Sequence, residues 1–275
     1  MKENEMQEKE EVTVYEKLFG IKPGINLAGI LTKLGGSTPP SEVVEAATEA
    51  SKYFVDLSQL LRRSGEVIAE TLGVPAAYIT SGSSAGLALS AAACIAGTDP
   101  KKICILPNTE GLKNEIIVQK GHYPYNNMLR IPGSKLVYVG EETPENNYPF
   151  PGGEEYPWYH KFNNKPEHIE KAINENTCAL YHVINGNLYE GSRDYKIGEP
   201  GRLEGEVPLT IVSEIAKNHH LPLIIDAADQ IPPISNVKKL VDIGGDLVIF
   251  SGGKALQSYN DSGLIVGRKD RKSVV

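Results

Sequence analysis

Sulfur, tryptophan and long apolar runs are what this 275-residue chain has little of. Its three cysteines, Cys94, Cys104 and Cys178, are odd in number and lack metal-ligand spacing. That excludes a disulfide scaffold and points to reduced thiols in the cytoplasm. The histidines (His122, His160, His168, His182, His219 and His220) form no metal motif either; the adjacent His219-His220 pair falls at a predicted helix end, where it complements the dipole. The longest run of small apolar residues, 87–97, is about half of the roughly 20 residues a membrane helix requires, and the charged amino terminus is no signal peptide. Basic residues (28) are outnumbered by acidic ones (35), and a net charge of -7 argues against a nucleic-acid partner. No internal repeat or heptad run is present. With 40% hydrophobic residues the chain is nevertheless rich enough in apolar side chains for a sizeable core.

Residues 1–11 are dense in Glu and Lys with almost nothing to bury, and are expected to form a disordered lead. In the next part, 12–72, the stretch 25–36 is apolar but repeatedly broken by glycine, which favours an extended segment passing close to other backbone, where it could line a site. Residues 41–72 place apolar side chains at helical spacing with a break near Phe54 to Asp56, predicting two helices whose apolar faces serve a core or a dimer interface. From 73 onward, short apolar runs predict strands at 76–80, 103–106, 115–119, 135–139, 177–184, 223–226, 246–250 and 263–266. Helices such as 208–219 separate most of them, so the order argues for a largely parallel, doubly wound α/β sheet. Two irregular stretches, 141–166 with Trp158 inside it and 185–206, are long enough to be functional loops that reach a site.

Two of the runs end in chemistry. Leu223-Ile224-Ile225-Asp226 delivers a carboxylate to a strand's carboxyl end, and 246–254 delivers Ser-Gly-Gly-Lys254. A lysine on such an edge, flanked by glycines that admit a ligand to the backbone, suits a Schiff base with an aldehyde cofactor. A buried acid suits the ring nitrogen of pyridoxal phosphate, which is the better electron sink when protonated. Ser81-Gly82-Ser83-Ser84-Ala85-Gly86, between a strand and the small-residue helix 87–96, offers free N–H groups and the positive end of a dipole to a phosphate. Each has a plainer reading alone: a solvated loop lysine, an aspartate capping the next helix, a serine N-cap. No Gly-Lys-Ser/Thr follows, so this is no Walker loop. Together the three read as a pyridoxal phosphate site. His122 directly follows strand 115–119, where an imidazole either stacks on a cofactor ring or sits on a surface loop.

These motifs, with Gln119-Lys120-Gly121-His122, Asp226-Ala227-Ala228-Asp229-Gln230-Ile231-Pro232-Pro233 and Ser262-Gly263-Leu264-Ile265-Val266-Gly267, resemble the selenocysteine-synthase-like family of fold-type I pyridoxal phosphate enzymes. That family includes L-seryl-tRNA(Sec) selenium transferase and the D-glucosaminate-6-phosphate ammonia-lyase-like enzymes, and the resemblance is stronger to the latter. It implies that 73–275 is a fold-type I large domain, a mostly parallel seven-stranded sheet with helices on both faces, here without the carboxyl-terminal small domain. It implies Lys254 as the Schiff-base lysine and proton-transfer base, and Asp226 as the partner of the ring nitrogen. Ala228 would pack under the ring, His122 would stack over it, and Ser251 with Ser81, Gly82, Ser83 and Ser84 would bind the phosphate. Relatives tend to carry a Gly-Pro-Gln turn where this chain has Gln257-Ser258-Tyr259-Asn260-Asp261. The activity implied is an α,β-elimination with deamination of a small hydroxy amino acid or amino-sugar acid phosphate, in a cytoplasmic homodimer or higher homo-oligomer. A selenium transferase on seryl-tRNA, an aminotransferase and a catalytically impaired truncated homologue are the alternatives.

Overall fold

The computed structural model describes residues 12–27, 29–121, 125–142, 162–184 and 205–268. The chain enters through α1 (Val14–Phe19), opened by a reciprocal cap between Thr13 and Glu16 and stopped by Gly20 in the left-handed conformation. The glycine-broken stretch after it is extended, as its composition predicts, apart from a 3-10 turn at Thr32–Leu34. α2 (Ser41–Ala50) and α3 (Leu57–Leu72) flank the predicted break, where Asp56 caps α3 by accepting the Gln59 N–H.

The remaining elements alternate. In order they are β1 (Ala76–Thr80), α4 (Ser83–Ala96), α5 (Pro100–Ile105), β2 (Glu115–Gln119), β3 (Lys135–Val139), the two-residue pair β4 (Glu141–Glu142) and β5 (Phe162–Asn163), and α6 (Pro166–Ala172). Then come β6 (Thr177–Val183), α7 (Leu209–Asn218), β7 (Leu223–Asp226), α8 (Ser235–Ile243), β8 (Leu247–Ser251) and β9 (Gly263–Gly267). Residues 103–106, expected as a strand, instead finish α5 and its cap. The Asp99 side chain accepts the Lys101 N–H and Pro100 fills the first turn, so a helix start outweighs a β-prone run of four residues. The predicted lead 1–11, His122, and most of the two irregular stretches lie outside the described residues.

Seven strands pair in the order β1-β9-β8-β7-β6-β2-β3. From β8 to β3 every neighbour is parallel; β9 runs antiparallel to both β8 and β1, so β1 points the same way as the parallel set. This is the mostly parallel seven-stranded sheet that the resemblance implies. Both faces are covered. Leu87 and Ala91 of α4 belong to a core cluster with Ile116, Tyr181, Ile224 and Ile249. Across the sheet, Val212 of α7 and Leu240 of α8 share a second cluster with Ile117, Ile225 and Val248. Double cover explains why β7 and β8 are unbroken apolar runs instead of alternating ones. Helix α4 comes especially near: a Cβ on Gly86 would lie 3.0 Å from the Ile249 side chain. Its small residues bring its amino end down onto the carboxyl edge of the sheet, the edge where β1, β7 and β8 all finish.

Candidate active site

Asp226 closes β7. Because side chains alternate along a strand, it shares the α4 face with Ile224, whose neighbour in the pairing is Tyr181 of β6. The carboxylate is 3% exposed, and both of its oxygens have donors: Oδ1 accepts the Ala228 N–H at 3.1 Å and Oδ2 the Tyr181 hydroxyl at 3.4 Å. Burial pushes its pKa from 3.8 up to about 6, against the downward pull of the Ala228 N–H and the Lys254 charge; Asp229 adds to the rise and the Tyr181 hydroxyl to the pull. The plainer reading of Asp226 as a helix cap does not hold, since α8 begins only at Ser235.

Lys254 sits one turn beyond β8, on the neighbouring strand's end, half-buried and near enough for its charge to reach Asp226. The glycines before it are closely packed. A Cβ on Gly252 would meet Ser262 Oγ at 2.1 Å, and one on Gly253 would meet Asn260 Cα at 2.4 Å. They make room for the chain's own 258–262 loop, which packs against the lysine turn. Gly252 is bonded into this loop in both directions, donating to the Ser262 carbonyl (2.8 Å) and accepting from the Ser258 N–H (2.9 Å).

The lysine turn is also clasped from the far end of the sequence. Ser37 donates its N–H to the Gly253 carbonyl at 2.8 Å, and its hydroxyl lies 2.7 Å from the Lys254 carbonyl and 3.0 Å from that of Gly253. Gly36, at φ +75, makes this approach possible, because a Cβ there would fall 2.2 Å from the Gly253 oxygen. The expectation that 25–36 passes close to other backbone is met at its last residue.

At the same edge, Thr80 of β1 pairs with Gly263 of β9, and Gly263 pairs with Ser251 of β8, so the three lie in one row. Gly263 has no side chain because Gly82 fills that space, its carbonyl carbon 2.5 Å from where a Cβ would be. Gly82 (φ 94, ψ 162) starts α4 with no side chain capping it, although serines stand on both sides. A serine N-cap is thus not what these residues make, and the first-turn N–H groups of α4 keep no intrahelical acceptor. Thr80 Oγ1 instead braces the turn by donating to the Gly82 carbonyl at 2.9 Å. Asp226 pairs with Ile249, two residues before Ser251, which puts the acid and Ser251 roughly 8 Å apart at backbone level.

Lys254, Asp226, Ala228, Ser251 and the 81–84 turn therefore converge on one edge, whereas His122 lies outside the described residues. Sequence reasoning missed Tyr181 and Ser37. A tyrosine in the otherwise apolar Cys178-Ala179-Leu180 run was a visible sign of a buried polar partner; Ser37 carried no local signal beyond its two glycines. On the opposite sheet face, the buried Gln119, His182 and Glu206 join the ends of β2 and β6 to the entry of α7, with Gln119 Nε2 and Glu206 Oε1 each 3.3 Å from a His182 ring nitrogen.

No protein-family model matches the chain. It is 30% identical, over 93% of its length, to the D-glucosaminate-6-phosphate ammonia lyase of Salmonella typhimurium. The solved structure of a D-glucosaminate-6-phosphate ammonia-lyase superposes with a TM-score of 0.76 at 30% identity, covering 95% of this chain. The chain has the fold of the fold-type I pyridoxal phosphate enzymes. A 5'-C-glycyluridine monooxygenase-decarboxylase of Streptomyces is 32% identical over 92% of the chain. The chain spans 60% and 56% of the length of these two curated relatives and 62% of the solved one. A SepCysS–SepCysE complex, at 14% identity and a TM-score of 0.55, shares the fold alone.

Proposed function

We propose that this chain is a pyridoxal phosphate-dependent lyase that eliminates water from a small hydroxy amino acid or amino-sugar acid phosphate and then releases ammonia. One observation carries the reading: an amine, a buried carboxylate and an uncapped helix amino terminus share one edge of the sheet. That donor set fits the cofactor, with Lys254 for its aldehyde, Asp226 for its ring nitrogen, and Ser251 with the 81–84 turn for its phosphate. When bound, pyridoxal phosphate supplies an aldehyde that captures an amine and a ring that accepts the electron pair left by a departing α proton. Lys254 takes that proton on Nζ, and Asp226 keeps a negative charge at the ring-nitrogen end, where positive charge is wanted. Ala228 presents only a methyl group beside the acid, leaving room for a flat ring; His122 is proposed for the other ring face. The β hydroxyl leaves as water, and the released enamine takes water back to give a keto acid and ammonia.

The relative that is a monooxygenase-decarboxylase supports a second reading, oxygen-dependent decarboxylation with the same cofactor set. Titration with pyridoxal phosphate followed by borohydride and peptide mapping tests the site. A visible band and a label on Lys254 are expected; no band, or a label on another lysine, overturns it. Ammonia release from amino-sugar acid phosphates assigns the lyase, and oxygen uptake with carbon dioxide release assigns the other reading.

Two further proposals concern context. A second copy of the chain covers the 12–72 surface. In its favour, α1 and α2 bury no residue, and Ile25, Leu27 and Phe54 are 90%, 92% and 107% exposed, more apolar surface than a soluble monomer ordinarily shows. Cytoplasmic residence is supported by the odd number of cysteines, Cys94, Cys104 and Cys178, and their lack of metal-ligand spacing. Among the described residues, no helix is long and apolar enough to cross a membrane.

A further inference from the structure

We propose that Tyr181 is a positioning residue for Asp226: its hydroxyl donates to Oδ2 while the Ala228 N–H donates to Oδ1, and the pair of donors fixes the plane of the carboxylate and keeps it ionised. The inference deepens the reading of Asp226 as the acid that faces the cofactor ring, and rests on it.

The geometry comes first. Tyr181 is 2% exposed, on a central strand, inside an apolar cluster built from Leu87, Ile224 and Ile249. Phenylalanine fills such a place with no polar atom to satisfy, and a buried hydroxyl without a partner costs about 1–3 kcal/mol. The hydroxyl is reconciled with its surroundings by reaching diagonally from β6 to the last residue of β7, two positions past its own pairing partner Ile224. Burial, with Asp226's charge second, pushes the Tyr181 phenol well above its ordinary range, so it holds its proton and acts as a donor throughout the working pH range. One oxygen is held from its own loop and the other from β6, so rotation of the carboxylate would break a hydrogen bond at one end or the other.

Among the described residues, the charged groups around Asp226 are few. Lys254 favours the anion from beyond β8, Asp229 opposes it from the same loop, and Tyr138 stands next to Tyr181. β8 contributes no ionisable side chain and α4 only the thiol of Cys94. Among the described residues of the packed elements, only the Cys94 thiol and these groups titrate near a change at Tyr181. Removing a donor to the anion raises the pKa. Hydrogen bonds to charged groups are worth about 1.5–3 kcal/mol, and at 3.4 Å this one belongs to the weak end, so the midpoint moves up by about one pH unit.

The test is Tyr181→Phe, which keeps the ring and its packing. In the cofactor-free protein, carbon-13 NMR of labelled aspartate follows the Asp226 carboxyl, its resonance assigned by its loss in Asp226→Asn. The expected result is a midpoint about one unit higher in Tyr181→Phe. An unmoved midpoint overturns the proposal, even if the variant melts earlier, because lost packing alone does not move a titration. In the loaded protein the visible band's acid transition should shift in the same direction, and the shift should vanish when Tyr181→Phe is combined with Asp226→Asn. Failure of the chain to develop any visible band would sink the cofactor reading while the NMR titration still decides the role of Tyr181.

Discussion

Asp226→Asn should make the cofactor-free protein more stable near pH 7.5 and less stable below pH 4. The folded carboxyl titrates at about 6 against an ordinary 3.8, because burial penalises the anion more than its donors and Lys254 repay. A group whose folded pKa is raised costs nothing below its unfolded pKa; its cost grows as pH rises and is complete above the folded pKa. At about 1.4 kcal/mol per pH unit, the gap amounts to about 3 kcal/mol of destabilisation above pH 6. Asparagine removes that charge but turns an NH2 towards Tyr181, at a cost of about 1 kcal/mol. The net gain is then about 2 kcal/mol at pH 7.5, crossing to a loss of about 1 kcal/mol below pH 4. Urea denaturation of both proteins from pH 3.5 to 8 reads the difference directly, since every other titrating group cancels between them. Saturating pyridoxal phosphate should reverse the order at pH 7.5, because the wild type binds it more tightly and gains more. A variant less stable than wild type at pH 7.5 without cofactor, or a difference that does not change with pH, would refute the claim that Asp226 is held charged at a cost.

Three other outcomes follow from the same geometry. Gly36→Ala should cost at least the roughly 1–3 kcal/mol of a non-glycine residue in the left-handed region, and should loosen the lysine turn through its overlap with the Gly253 carbonyl. Urea denaturation gives the first effect and the rate of borohydride labelling at Lys254 the second. Ser84→Asp puts an anion where the cofactor phosphate is proposed to lie: the dissociation constant should rise at least about tenfold, while the cofactor-free protein holds or gains about 0.3–1 kcal/mol from the helix dipole. Phe54→Ser should shift the assembly towards monomer in sedimentation velocity and leave the far-ultraviolet spectrum unchanged, since Phe54 buries nothing within its own chain.

The sheet was legible because its physics is local. Buried parallel strands show as apolar runs of four to six residues, and those of β2, β7 and β8 were visible without any partner in view. The break between α2 and α3 showed in the interrupted helical spacing near Phe54 to Asp56, and the structure adds the cap that Asp56 makes there. Residues 103–106 failed for the converse reason. Ile103-Cys104-Ile105-Leu106 has the composition of a strand, and only the preceding Asp99-Pro100 start, with its cap on the Lys101 N–H, decides otherwise.

The site divides along the same line. Asp226 and Lys254 stood out because each ends a run, and a strand's end is a position in the sequence as well as in space. What the two glycines before Lys254 do was not legible, since their neighbours, Ser262 and Asn260, are brought in by a loop that departs from the family pattern. Ser37 lies still further from inference. It reaches the lysine turn across 216 residues and binds only main-chain carbonyls, so no complementary side chain at 253 or 254 marks it. Tyr181 is the intermediate case. Its ring belongs to the core and its hydroxyl to the acid, and a sequence shows a tyrosine within an apolar run without showing which acid it meets. The buried tyrosine and the costly carboxylate are one arrangement: the apolar packing that raises Asp226's pKa is the packing that carries in the hydroxyl opposing the rise.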